Sequence, residues 1–175
     1  MKKATGSAVD IRCGWLVVGA GLLSIAVHAM IGYSGSLFLV AIVDDTTWSR
    51  AVVSGYLSLY ALGSSLWLPL VGFLIQVWGP RRVLPAAALI ATGALLILSS
   101  ARSSLVFSLA MLVPLALGSV GVGSLANYTA IQPWFQKKQS TALALAATGS
   151  SVGVLIMPLI QQLILTFGWR GAYQV

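Results

Sequence analysis

A chain of 175 residues with 58% hydrophobic and only 7% charged residues is too apolar for an ordinary soluble domain and far too apolar to be disordered. Its net charge of +7 would suggest nucleic acid in a soluble protein. In so apolar a chain it fits instead the Lys and Arg that membrane proteins keep in their cytoplasmic loops, and no nucleic-acid partner is expected.

The chain opens on the basic Met1-Lys2-Lys3, and an apolar run follows from Gly14 to about Val43. That run far exceeds the roughly 7–15 apolar residues of a signal peptide. It matches the roughly 20 residues that a bilayer crossing needs. Residues 1–13 are therefore read as a cytoplasmic N-terminal segment and 14–43 as the first span. The single cysteine, Cys13, at the edge of this run, has neither a disulfide partner nor a CxxC companion for a metal, and reads as inert packing. Further apolar runs predict helices over 50–77, 83–100, 104–131 and 141–166. A sixth starts near Trp169 and is cut by the last residue, Val175, so residues 14–175 read as a truncated bundle. Backbone polar groups must be satisfied internally in hydrocarbon, which leaves helices or closed barrels. Runs of this length without strict alternation exclude a barrel, so the expected class is all-α, a polytopic transmembrane helix bundle.

Alternating spans put Lys2, Lys3, Arg12, Arg81, Arg82, Lys137 and Lys138 on one side and Arg50, Arg102 and Arg170 on the other. Seven against three places the N-terminus in the cytoplasm, with Asp44 and Asp45 outside and Asp10 inside. Small residues recur at helical spacing: Ala142, Ala146, Gly149 or Ser150, and Gly153 in the fifth span, and Gly118, Gly121 and Ser124 in the fourth, with Gly123 alongside. Such stripes let helices approach closely in lipid. Packing alone explains them, and so does a sliding interface used during transport. Pro69, Pro114 and Pro158 lie inside spans and favour kinks.

Three segments carry a family resemblance. Gly72-Phe73-Leu74-Ile75-Gln76-Val77-Trp78-Gly79-Pro80-Arg81-Arg82 resembles the G-x-L-x-D-R-x-G-x-R-R loop of major facilitator carriers, with Gln76 and Val77 where the family has Asp and Arg. Here Gly72 is expected to permit close helix contact, Gly79-Pro80 to make the turn, and Arg81 and Arg82 to meet helix C-terminal dipoles. The run from Trp134 through Phe135, Lys137, Lys138, Ala142 and Ala146 to Gly149 resembles the monocarboxylate-carrier signature Y-F-x-K-R-R-x-L-A-x-G-x-A-x-A-G. Asp10, Gly14 and Trp15 match the Asp, Gly and Trp of that branch's D-G-G-W-G-W entry. Trp48-Ser49-Arg50-Ala51 and Gly168-Trp169-Arg170 look like further landmarks, in the correct order. The resemblance is to the monocarboxylate-carrier-like branch of the major facilitator superfamily, which includes oxalate/formate-type exchangers.

That resemblance implies the N-terminal half of a major facilitator fold, with five complete helices and the start of a sixth. It implies alternating-access transport of a small organic anion, coupled to a proton or a counter-anion, in a bacterial inner (plasma) membrane. The partners implied are the lipid bilayer and a missing C-terminal six-helix half. No cofactor or metal is implied. His28 lies mid-span with Ser24, Gly32 and Ser36 on its face, and an ionisable residue at that depth is a functional candidate. Its other reading is a neutral ring bonded to a neighbouring helix. Tyr33 falls where the resemblance to animal carriers implies a Lys, and an ideal helix points it about 140° away from His28. Asn127 is a third substrate or proton candidate, with Gln132, Gln161 and Gln162 as further polar positions. An enzyme is not expected, because no Ser-His-Asp set, HExxH motif or intramembrane carboxylate pair is present. A non-transporting membrane remnant or scaffold is the alternative.

Overall fold

The computed structural model describes residues 8–46 and 48–174, with side chains from Cys13 onward, and these residues form helices without a strand. Lys2, Lys3, the Asp10 and Arg12 side chains and Val175 lie outside the described part. Five helices are long and apolar enough to cross a membrane, and the chain is an integral membrane protein.

The first helix, Ala8–Asp45, starts ahead of the apolar run. Its 38 residues extend about 57 Å at the usual helical rise, so its ends pass beyond a hydrocarbon core of roughly 30 Å. Cys13, near its start, is exposed rather than packed. The second helix, Arg50–Trp78, is capped by Ser49, whose hydroxyl accepts the Val52 N–H at 3.4 Å. Pro69 sits inside it without interrupting it. Gly79, with φ +77°, reverses the chain in one residue, a conformation that favours glycine. Pro80 then opens the third helix, Pro80–Ser100, where a missing N–H is harmless.

The fourth and fifth spans are not the continuous helices that the sequence suggests. The fourth, Ser104–Trp134, contains a π-helical turn at Met111–Leu115 around Pro114 and breaks at Gly123. In the π turn Ala116 N–H bonds Val113 O, and the Trp67 indole donates to Leu112 O at 2.9 Å across from the second helix. The fifth span is segmented at Thr148 and Ile156, the latter two residues before Pro158. Gly168, with φ +71°, ends it, and Trp169 begins a new helical turn as expected.

Small residues set which spans touch. A Cβ on Gly118 would lie 2.5 Å from Ala91 N, and one on Gly121 would collide with Ala87, so the fourth span presses on the third. Gly63 holds the second span against Leu112 of the fourth. Gly149 lies on Leu22 O and Gly153 on Ala26 O, continuing the fully buried Ala142 and Ala146 and joining fifth span to first. In lipid such contacts supply van der Waals energy that larger residues would forbid. The fourth span is consequently the most buried, and outward positions such as Leu66, Leu89, Leu155 and Leu165 remain exposed for lipid.

Each end of the bundle is closed by aromatics. At the amino-terminal end Gly14 seats Phe135, whose ring meets Trp15 edge-on at 5.1 Å. Val18, Ile131, Ala142 and Ala146 pack beneath them. At the opposite end Phe107, fully buried, is surrounded by Trp48, Tyr56 and Trp169. Trp169 Nε1 donates to Asp45 Oδ2 at 2.8 Å, and Arg170, stacked over the Trp169 ring, reaches the same oxygen at 3.4 Å.

Candidate functional site

Irregular backbone inside a membrane is tolerated where its freed groups find partners or line a site. Gly123 has an extended backbone (φ −72°, ψ −170°), which separates the helix Ala116–Val122 from Ser124–Ile131. The carbonyls at the break are met by side chains. Asn127 Nδ2 donates to Val122 O at 2.8 Å and Gly123 O at 2.9 Å, and Ser24 Oγ donates to Val122 O at 2.9 Å. Asn127 Nδ2 also lies 3.0 Å from Ser24 Oγ. Three acceptors surround an amide with two protons. Asn127 is only 3% exposed, so water does not substitute for these bonds.

His28 stands one helical turn beyond Ser24 and covers the break. A Cβ on Gly123 would lie 3.5 Å from both His28 Cε1 and Nε2. The ring also faces the backbone of Ser119. Its Nδ1 is buried and has no hydrogen-bond partner among the described residues. A buried polar atom left in this way costs about 1–3 kcal/mol, a debt that a ligand or water can relieve. From the second span Tyr60 OH donates to Ser119 Oγ at 3.0 Å, and Ser119 in turn bonds Ala116 O at 3.0 Å. Ser24, His28, Tyr60, Ser119 and Asn127 thus form one polar seam through the first, second and fourth spans. Tyr60 also lines an apolar cavity of about 440 Å³ towards the Asp45 end, whose wall includes Ile31, Phe38, Ile160 and Tyr173.

His28 and Asn127, both expected from sequence, meet at this break. Tyr33 does not join them. It is 59% exposed and outside the cavity wall, as its angular offset from His28 anticipates. Sequence reasoning missed Tyr60 and Ser119, and read Gly123 only as lying alongside a small-residue stripe. Three glycines within Gly118–Gly123 were the available signal.

The loop after the second span departs from expectation in two respects. A Cβ on Gly72 would meet only Leu125 Cδ2, at 3.8 Å, an ordinary contact, so the close approach belongs to Gly63 and not to Gly72. Arg81 and Arg82 are exposed in the first turn of the third helix, the electropositive end of its dipole, and their side chains make no hydrogen bond among the described residues. Pro80 forces this, because it starts the third helix immediately after Gly79. The Gln76 side chain is exposed and likewise unbonded among these residues. The signature residues Gly14, Trp15, Phe135, Ala142, Ala146 and Gly149 do converge, on the first and fifth spans, while Lys137 and Lys138 are exposed.

The sequence has known relatives. Residues 20–175 match the family model of the Major Facilitator Superfamily. The chain is 29% identical over 168 residues to human monocarboxylate transporter 2, covering 93% of this chain and 34% of that protein. It is 34% identical over 105 residues to the MFS-type transporter hasB of Aspergillus fumigatus (59% of this chain, 23% of the relative). It is 33% identical over 92 residues to the fujikurins efflux protein of Gibberella fujikuroi (53% and 20%). The chain therefore spans about a third or less of the length of these relatives. Helix bundle, ordered landmarks and family match agree: the chain belongs to the Major Facilitator Superfamily.

Proposed function

We propose that this chain forms part of a secondary transporter for small organic anions such as monocarboxylates, working by alternating access with a proton or counter-anion as the coupled species. The observation that carries the reading is the break at Gly123, beside the chain's one histidine, whose Nδ1 is buried without a partner among the described residues. Discontinuous helices with polar side chains at membrane depth are how transporters build substrate sites. An inert scaffold needs neither feature. In this reading His28 meets the substrate carboxylate or carries the coupled proton, and Asn127 lies beside it. The likeness to monocarboxylate transporter 2 along 93% of the chain supports the substrate class. We place the N-terminus on the cytoplasmic side of a plasma membrane, since exposed Arg81, Arg82, Lys137 and Lys138 share the amino-terminal end.

The test is uptake of radiolabelled lactate and oxalate into liposomes containing the protein expressed from its complete gene. An imposed pH gradient supplies protons, and trapped formate supplies a counter-anion. Saturable uptake, inhibited by other short carboxylates but not by their amides, is expected. No uptake above protein-free liposomes under either driving force would overturn the reading.

A further inference from the structure

The fourth span is held broken by side chains rather than by backbone strain. Gly123 sits at a φ that any residue adopts, and Asn127 N–H already lies 3.5 Å from Gly123 O, the partner it would have in an unbroken helix. Among the carbonyls that the break exposes is Val122 O, and two side chains bond it: Asn127 from the same span and Ser24 from the first. If that pair let go, rotation near Gly123 would return Val122 O to a backbone donor and free the Asn127 amide and the Ser24 hydroxyl, next to the His28 ring.

We propose that Gly123 is a hinge in the fourth span, and that Asn127 and Ser24 are positioning residues that hold it bent and so seat His28 at the break. The bent and straight forms differ in which donors satisfy Val122 O, a side-chain pair in one and the backbone in the other, so the exchange trades one set of hydrogen bonds for another. The bond from Ser24 ties the state of the fourth span to the first. Movement at the hinge therefore reaches the helix that carries His28. The transport consequence rests on the function proposed above; the hinge itself does not.

The experiment uses the full-length protein with Cys13→Ser and spin labels at Leu109→Cys and Gln132→Cys, exposed positions on either side of the break. A straight helix would separate their backbones by roughly 35 Å. Asn127→Leu removes the amide at similar volume, and Gly123→Ala adds preference for the continuous helix. Both are expected to shift the distance distribution away from that of the parent and towards the straight-helix value, while Asn127→Gln retains more of the parent distribution. In carboxylate uptake the same variants are expected to lose turnover by about tenfold, with KM changed much less, the pattern of a lost conformational step. Unchanged distance distributions in both Asn127→Leu and Gly123→Ala would overturn the hinge. Shifted distances with unchanged turnover would overturn its role in positioning. Absence of transport in the parent would count against the function alone, since the distances are read without substrate.

Discussion

Replacing Gly153 by alanine tests whether the close approach of the first and fifth spans holds the bundle together. A Cβ there would lie 2.5 Å from Ala26 O and 2.9 Å from Ala29 Cβ, and a backbone oxygen within a packed helix cannot swing aside as a side-chain tip can. Overpacking of this kind costs about 1–3 kcal/mol. Alanine returns about 1 kcal/mol through its higher helix propensity. Gly93→Ala in the third helix makes the same chemical change where a Cβ meets nothing within 4 Å, so it isolates the propensity gain. The unfolded-state effect is common to both variants and cancels. Gly153→Ala should therefore be less stable than Gly93→Ala by about 2 kcal/mol, read as the shift between their unfolding curves when SDS is titrated into mixed micelles and helicity is followed by circular dichroism. Two variants with coincident curves would refute the idea that this contact, and not helix propensity, governs the position.

Trp67→Phe keeps an aromatic ring but removes the donor to Leu112 O at the π-helical turn, and should lower stability by about 1 kcal/mol in the same titration. At the opposite end Asp45 serves two donors of unequal value. Arg170→Gln should cost less than about 1 kcal/mol, because that pair is half exposed. Asp45→Ala, which also leaves the buried Trp169 indole unpaired, should cost about 1–2 kcal/mol and should respond little to added salt.

Much of the fold was legible because hydrocarbon imposes a simple condition. Runs of apolar residues long enough to cross must be helices, and Gly79, Gly168 and the serines at 49 and 103 mark their ends by their own local chemistry. The small-residue stripe from Ala142 to Gly153 was readable for the same reason, since its period is that of the helix it sits on. The break at Gly123 was not. Its neighbours Gly118, Gly121 and Ser124 have the composition of a packing stripe, and one of the side chains bonded at the break, Ser24, is 103 residues away from Asn127. Asn127 could be recognised as a polar residue in a span, but the purpose of its amide lies in two carbonyls that only the bent backbone exposes. Arg81 and Arg82 were assigned to the wrong helix end because a single residue, Gly79, makes the whole turn.

The most direct measurement is uptake of labelled lactate into liposomes by the full-length protein and its His28→Ala variant across external pH 5.5 to 8, at matched protein incorporation. If the seam at Gly123 is the substrate or proton site, the variant loses turnover by about tenfold or more and its response to pH weakens, because the chain's one imidazole is gone from the break. A variant with the parent's rate and the parent's pH profile would remove His28, and with it the seam, from the mechanism.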